Sequence, residues 1–95
     1  MTTQTNAMDW TPRITEKLRD ALDPVELDVW NESAAHAGHA GSPGTGNSHF
    51  RVRVVSARFV GTKPVERHRM IYTILAEELA SGVHALAIEA EIPGQ

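Results

Sequence analysis

Ser48-His49-Phe50-Arg51-Val52-Arg53-Val54-Val55-Ser56 is the stretch that decides the fold. Phe50, Val52 and Val54 recur at every second position, while His49, Arg51, Arg53 and Val55 occupy the places between them. That alternation is the signature of a strand with one buried face and one open face. The period breaks at its end. Ser56-Ala57-Arg58-Phe59-Val60-Gly61 fits a single helical turn closed by glycine. Lys63 precedes a proline and is pushed out of helical dihedrals, so Pro64 opens a longer helix running to about Ala80.

The expected apolar stripe of that helix is Val65, His68, Tyr72, Leu75 and Leu79, widened by Ile71 and Ile74. Gly82 ends it, and residues 83–92 read as another strand. His84, Leu86, Ile88 and Ala90 share one face of that strand; Ala85, Ala87, Glu89 and Glu91 share the other. Upstream, Thr11 is the expected N-cap and Pro12 the first-turn proline of a helix carrying Ile14, Leu18 and Leu22 inward. Asp23-Pro24 stops it, and residues 25–31 alternate Val25, Leu27 and Val29 against Glu26, Asp28 and Trp30. Residues 32–47 show no periodicity. A connection of that length between strands is unusual, and such loops are generally functional or disordered.

The element order is therefore helix, strand, strand, short helix, long helix, strand. The economical solution is an α+β fold in two layers, a three-stranded mixed sheet with helices on one face. The first two strands pair antiparallel, and the last two pair parallel through a right-handed crossover. Residues 1–10 are expected to be a disordered lead, residues 11–92 the domain and residues 93–95 a tail.

Composition narrows the function. A chain of 95 residues has room for one small domain. It has no cysteine, which excludes a disulfide scaffold, a thiolate nucleophile and a cluster held by this chain's own thiolates. The reducing cytoplasm is the default compartment, and no apolar run approaches the ~20 residues of a membrane span. Ser33, Ser42, Ser48 and Ser56 lack a nucleophile elbow, and Gly38, Gly41, Gly44 and Gly46 do not lead into a phosphate-binding helix. The chain is not expected to be an enzyme.

Five histidines are the most informative feature. His36 and His39 share the glycine-rich loop and His84 opens the last strand, so two loop imidazoles and a third from elsewhere could form a metal site. Against that stand the ordinary readings of a polar loop and a strand residue near a sheet edge. His68 falls on the apolar stripe and reads as a buried anchor of the long helix; His49 reads as a solvated or orienting strand residue. A second candidate is the basic segment 49–69, in which Arg51, Arg53, Arg67 and Arg69 could meet phosphates. A formal net charge of −3 opposes a dedicated nucleic-acid binder.

Asn31-Glu32-Ser33, Ser48-His49-Phe50, Val55-Ser56, Arg58-Phe59 and Gly61 occur in that order. Downstream of them stand Val65, Arg67-His68-Arg69, Ile71-Tyr72, Leu75, Glu78-Leu79 and Val83-His84-Ala85-Leu86. Together they resemble the BolA family over almost the whole domain. The resemblance implies a class II KH-like fold, although Gly61-Thr62-Lys63-Pro64 stands where nucleic-acid-binding KH domains carry Gly-x-x-Gly. It implies a heterodimer with a monothiol glutaredoxin, sharing a [2Fe–2S] cluster whose other ligands are thiolates of glutaredoxin and glutathione. His84 matches the family's ligand in the Val-His-Ala-Leu motif. His36 matches its loop ligand, with His39 as a rival. The family also carries a DNA-binding regulator reading, and homodimerisation of the free protein is left open.

Overall fold

Phe50, Val52 and Val54 all point inward from the central strand of a sheet, at 1% exposure or less. A computed structural model describes residues 9–33 and 46–94 of the chain. Within them run α1 (Thr11–Leu22), β1 (Glu26–Asn31), β2 (His49–Val55), a 3₁₀ turn (Ala57–Phe59), α2 (Pro64–Ile74), α3 (Ala76–Ser81) and β3 (Ala85–Glu91). The sheet has the order β1-β2-β3. β1 pairs with β2 antiparallel, with Val29 opposite Val52, and β2 pairs with β3 parallel, with Val52 opposite Ile88. The architecture is the α+β arrangement expected from the pattern.

The core lies between the sheet and the helices. Ile14, Leu18 and Leu22 of α1, Phe59 of the 3₁₀ turn, and Ile71 and Leu75 beyond it close over Phe50, Val52 and Val54. Leu27 and Val29 of β1 and Leu86, Ile88 and Ala90 of β3 pack at its margins, as their alternation requires. Ser56 joins three elements. Its hydroxyl donates to the Leu22 carbonyl at 2.5 Å and accepts from the Arg58 N–H at 3.0 Å, while its N–H donates to Glu91 O at 3.0 Å. Those bonds tie the end of α1, the 3₁₀ turn and the end of β3 to one buried hydroxyl residue. Gly61 comes after the turn at φ 83°, in the left-handed region that favours glycine.

Several expectations need correction. Thr11 does not cap α1: it is the first helical residue, and the Asp9 carboxylate accepts from its N–H at 2.9 Å and its hydroxyl at 2.6 Å. Asp9 and Trp10 therefore belong to the fold rather than to a lead. The Trp10 N–H donates to Asn47 Oδ1 at 2.9 Å, and the Arg13 guanidinium lies 5.0 Å from the centre of the Trp10 ring. Residues 1–8 lie outside the described residues, as do residues 34–45 and Gln95.

The long helix is two helices. α2 ends at Ile74, Leu75 takes φ −103° and ψ 22°, and α3 begins at Ala76. Just before the break, the Thr73 hydroxyl donates to the Arg69 carbonyl at 2.9 Å, a back-bond that bends helices. The expected stripe is also rotated. Val65 is 53% exposed, Tyr72 is 47% exposed and His68 is exposed, so His68 is not a buried anchor. The buried line is Ile71, Leu75 and Glu78, flanked by Met70, Ile74 and Leu79.

Candidate functional site

β1 and β2 part company at the segment 34–45, and the two stems of that segment are clamped together. Asn31 begins the clamp: its side-chain carbonyl accepts from the Ser33 N–H at 2.9 Å, and its amide donates to Gly46 O at 2.8 Å and Asp9 Oδ1 at 3.0 Å. Glu32 N–H donates to His49 O at 2.8 Å. The Ser33 hydroxyl, buried at 6% exposure, then accepts from two backbone groups, Ser48 N–H at 2.9 Å and His49 N–H at 3.1 Å. Asn and Ser side chains bond readily to nearby backbone, which explains why these residue types occupy the places where the ladder stops.

Ser48 carries the clamp across to β3. Its carbonyl accepts from His84 N–H at 2.7 Å and from Ala85 N–H at 3.1 Å, and its hydroxyl is paired with His49 Nδ1 at 2.7 Å. His84 stands just before β3 with an exposed side chain on a fixed backbone. That combination suits a ligand presented to another molecule. His36 and His39 lie outside the described residues. Among the described residues no group of three or more His, Cys, Asp or Glu side chains is placed to hold a metal ion. Three histidines lie among the described residues, of which His68 and His84 are exposed and His49 is half-buried.

The basic segment is divided by the fold. Arg51 and Arg53 lie on the open face of β2, and both are paired. Arg51 bonds Glu32 at 3.0 Å; Arg53 bonds Glu26 at 2.6 Å and Glu91 at 3.5 Å, with Glu89 at 4.0 Å. The Glu32 carboxylate raises the pKa of Arg51 above its ordinary value, and Glu26 does the same for Arg53. Arg67 turns inward on the other side of the sheet, donating to Ala90 O, Thr62 Oγ1 and Thr62 O, each at 3.1 Å. Arg69 is exposed. The four arginines do not converge on one surface.

One buried charge was not foreseen from the sequence. Glu78 is 1% exposed and is met by Arg13 Nε at 2.5 Å and Lys17 Nζ at 2.8 Å, which joins α3 to α1. Burial pushes its carboxyl up, but hydrogen bonds from Lys17, its own backbone N–H and Arg13 outweigh this and hold it below the ordinary value. A helical line through Ile71, Leu75 and Glu78, at spacings of four and three, was the available signal.

Comparison with known proteins agrees with this architecture. A model of the BolA-like protein family matches residues 18–95. The chain is 53% identical to SufE-like protein 1 of Arabidopsis thaliana over 87 residues, covering 87% of this chain and 24% of that protein. It thus spans about a quarter of the length of that relative. It is 55% identical to the DNA-binding transcriptional regulator BolA of Escherichia coli over 76 residues, covering 80% of this chain and 69% of that one. The structure of BolA1 from Arabidopsis thaliana superposes with a TM-score of 0.79 at 41% identity, covering 98% of this chain and 95% of that one.

Proposed function

The chain belongs to the BolA-like family, and on that premise we propose that it is a non-enzymatic partner of a monothiol glutaredoxin, co-ligating a [2Fe–2S] cluster as cargo. The observation that carries this reading is the placement of His84: an exposed imidazole on a backbone fixed through Ser48 to the stems of the histidine-bearing segment. His84 is the principal ligand. His36, three residues beyond Ser33, is the second, with His39 as its rival. Three residues of chain reach at most about 11 Å, so His36 starts from a point already tied to His84.

Neutral imidazole in place of thiolate raises the potential of a [2Fe–2S] centre. It also makes ligation sensitive to acid, because a protonated ring has no lone pair to donate. Thiolates of the glutaredoxin and of glutathione complete the donor set, which this chain cannot complete alone because it has no cysteine. Such a protein serves in cluster trafficking or in iron-responsive regulation. Anaerobic reconstitution with a monothiol glutaredoxin and glutathione tests the proposal by visible absorption and circular dichroism. A spectrum distinct from that of the glutaredoxin homodimer is expected, and His36→Ala beside His39→Ala identifies the loop ligand. A glutaredoxin spectrum left unchanged by the added protein contradicts it.

The Escherichia coli relative is a DNA-binding transcriptional regulator, which supports a second reading of this chain as a DNA-binding protein. With Arg51 and Arg53 bound to carboxylates and Arg67 bonded internally, Arg69 is the member of the quartet best available to a phosphate.

A further inference from the structure

We propose that Ser33 is a positioning residue for His84, its hydroxyl holding Ser48, whose carbonyl in turn holds the His84 backbone. The inference rests on the ligand role of His84 and adds to it a residue that touches no cargo. Pairing of β1 with β2 ends at Asn31 opposite Phe50. Beyond that point the chain stays attached through the Glu32 N–H and the Ser33 hydroxyl. Ser33 Oγ accepts from the N–H of Ser48, and the carbonyl of Ser48 accepts from the N–H of His84. Two hydrogen bonds through one residue therefore join the stem to the ligand's backbone. Ser48 is 2% exposed and Ser33 6%, so water does not readily replace the oxygen if it is removed.

Ser33→Ala removes the oxygen that accepts from the Ser48 N–H and the His49 N–H. Ser33→Thr keeps the oxygen. In the free protein, amide hydrogen exchange at Ser48, His49, His84 and Ala85 should accelerate roughly tenfold in Ser33→Ala, and Thr should restore it. Exchange at Val52 and Val54, in the middle of the sheet, should not change. Acceleration at all of these amides in parallel would mean a merely structural role and would overturn the proposal, as would no acceleration or no rescue by Thr.

With glutaredoxin and glutathione, Ser33→Ala should alter the shape of the visible dichroism, and Ser33→Thr should keep the wild-type bands. Bands of unchanged shape in Ser33→Ala would also overturn the proposal. If the wild-type protein itself produces no new spectrum, the ligand reading fails, and the exchange measurement decides the Ser33 joint independently.

Discussion

At the scale of residues, exposure and attachment separate roles that sequence spacing merges. His84 has an exposed ring and a fixed backbone, so His84→Ala should leave stability within about 0.5 kcal/mol of wild type, checked by chemical denaturation. Loss of cluster sharing in that variant then reports the ring itself and not unfolding. Ser56 has the opposite character. Its hydroxyl is fully buried and both donates and accepts, so Ser56→Ala should cost about 1–2 kcal/mol in the same experiment. Both residues stand in motifs visible in the chain, but nothing in the spelling of those motifs distinguishes an exposed ring from a buried joint. Ser33 and Ser48 were legible only as family letters, because their partners are backbone groups far along the sequence. His36 and His39 remain a sequence-based expectation.

At the scale of elements, the strands were legible and the second helical segment was not. Each strand has a single apolar face, so period two has one solution; Leu27 and Val29, or Leu86 and Ile88, can only turn inward. α2 carries two apolar lines, and the one through Val65, His68 and Tyr72 is regular but exposed. The buried line contains Glu78, which composition counts as a surface residue until Arg13 and Lys17 are brought to it.

That ion pair has a definite pH signature. The Glu78 carboxyl titrates below its ordinary value of 4.5 in the folded state. Its contribution to stability is therefore complete above that value and is lost as pH falls through the lowered one. Asp9 and Glu77 are lowered as well and act with the same sign. Acid denaturation followed by circular dichroism should show stability falling below about pH 5, with a shallower fall in Glu78→Gln. An Arg13→Ala, Lys17→Ala double variant, which leaves the Glu78 carboxylate without its cations, should be less stable than wild type at neutral pH and should lose less on acidification.

At the scale of the whole molecule, charge is arranged as a covered layer and an open layer. The helices cover one face of the sheet, and the other carries Arg51 and Arg53 between the carboxylates of neighbouring segments. No helix among the described residues is long and apolar enough to cross a membrane. The clustering of cations between residues 49 and 69 was plain in the sequence. Their neutralisation was not, because Glu26, Glu32, Glu89 and Glu91 arrive from distant stretches through strand pairing. If the protein binds DNA, Arg69→Ala should reduce the slope of log affinity against log salt by about one unit, measured by fluorescence anisotropy. Arg53→Ala should leave that slope unchanged.

The central claim is that an exposed, backbone-fixed His84 donates to a cluster held jointly with glutaredoxin. Its most direct test is anaerobic reconstitution with a monothiol glutaredoxin and glutathione, comparing His84→Ala with His68→Ala, both exposed histidines of the same domain. Loss of the heterodimer's dichroism in His84→Ala and its retention in His68→Ala is the predicted result. Equal cluster loading in the two variants would contradict the account.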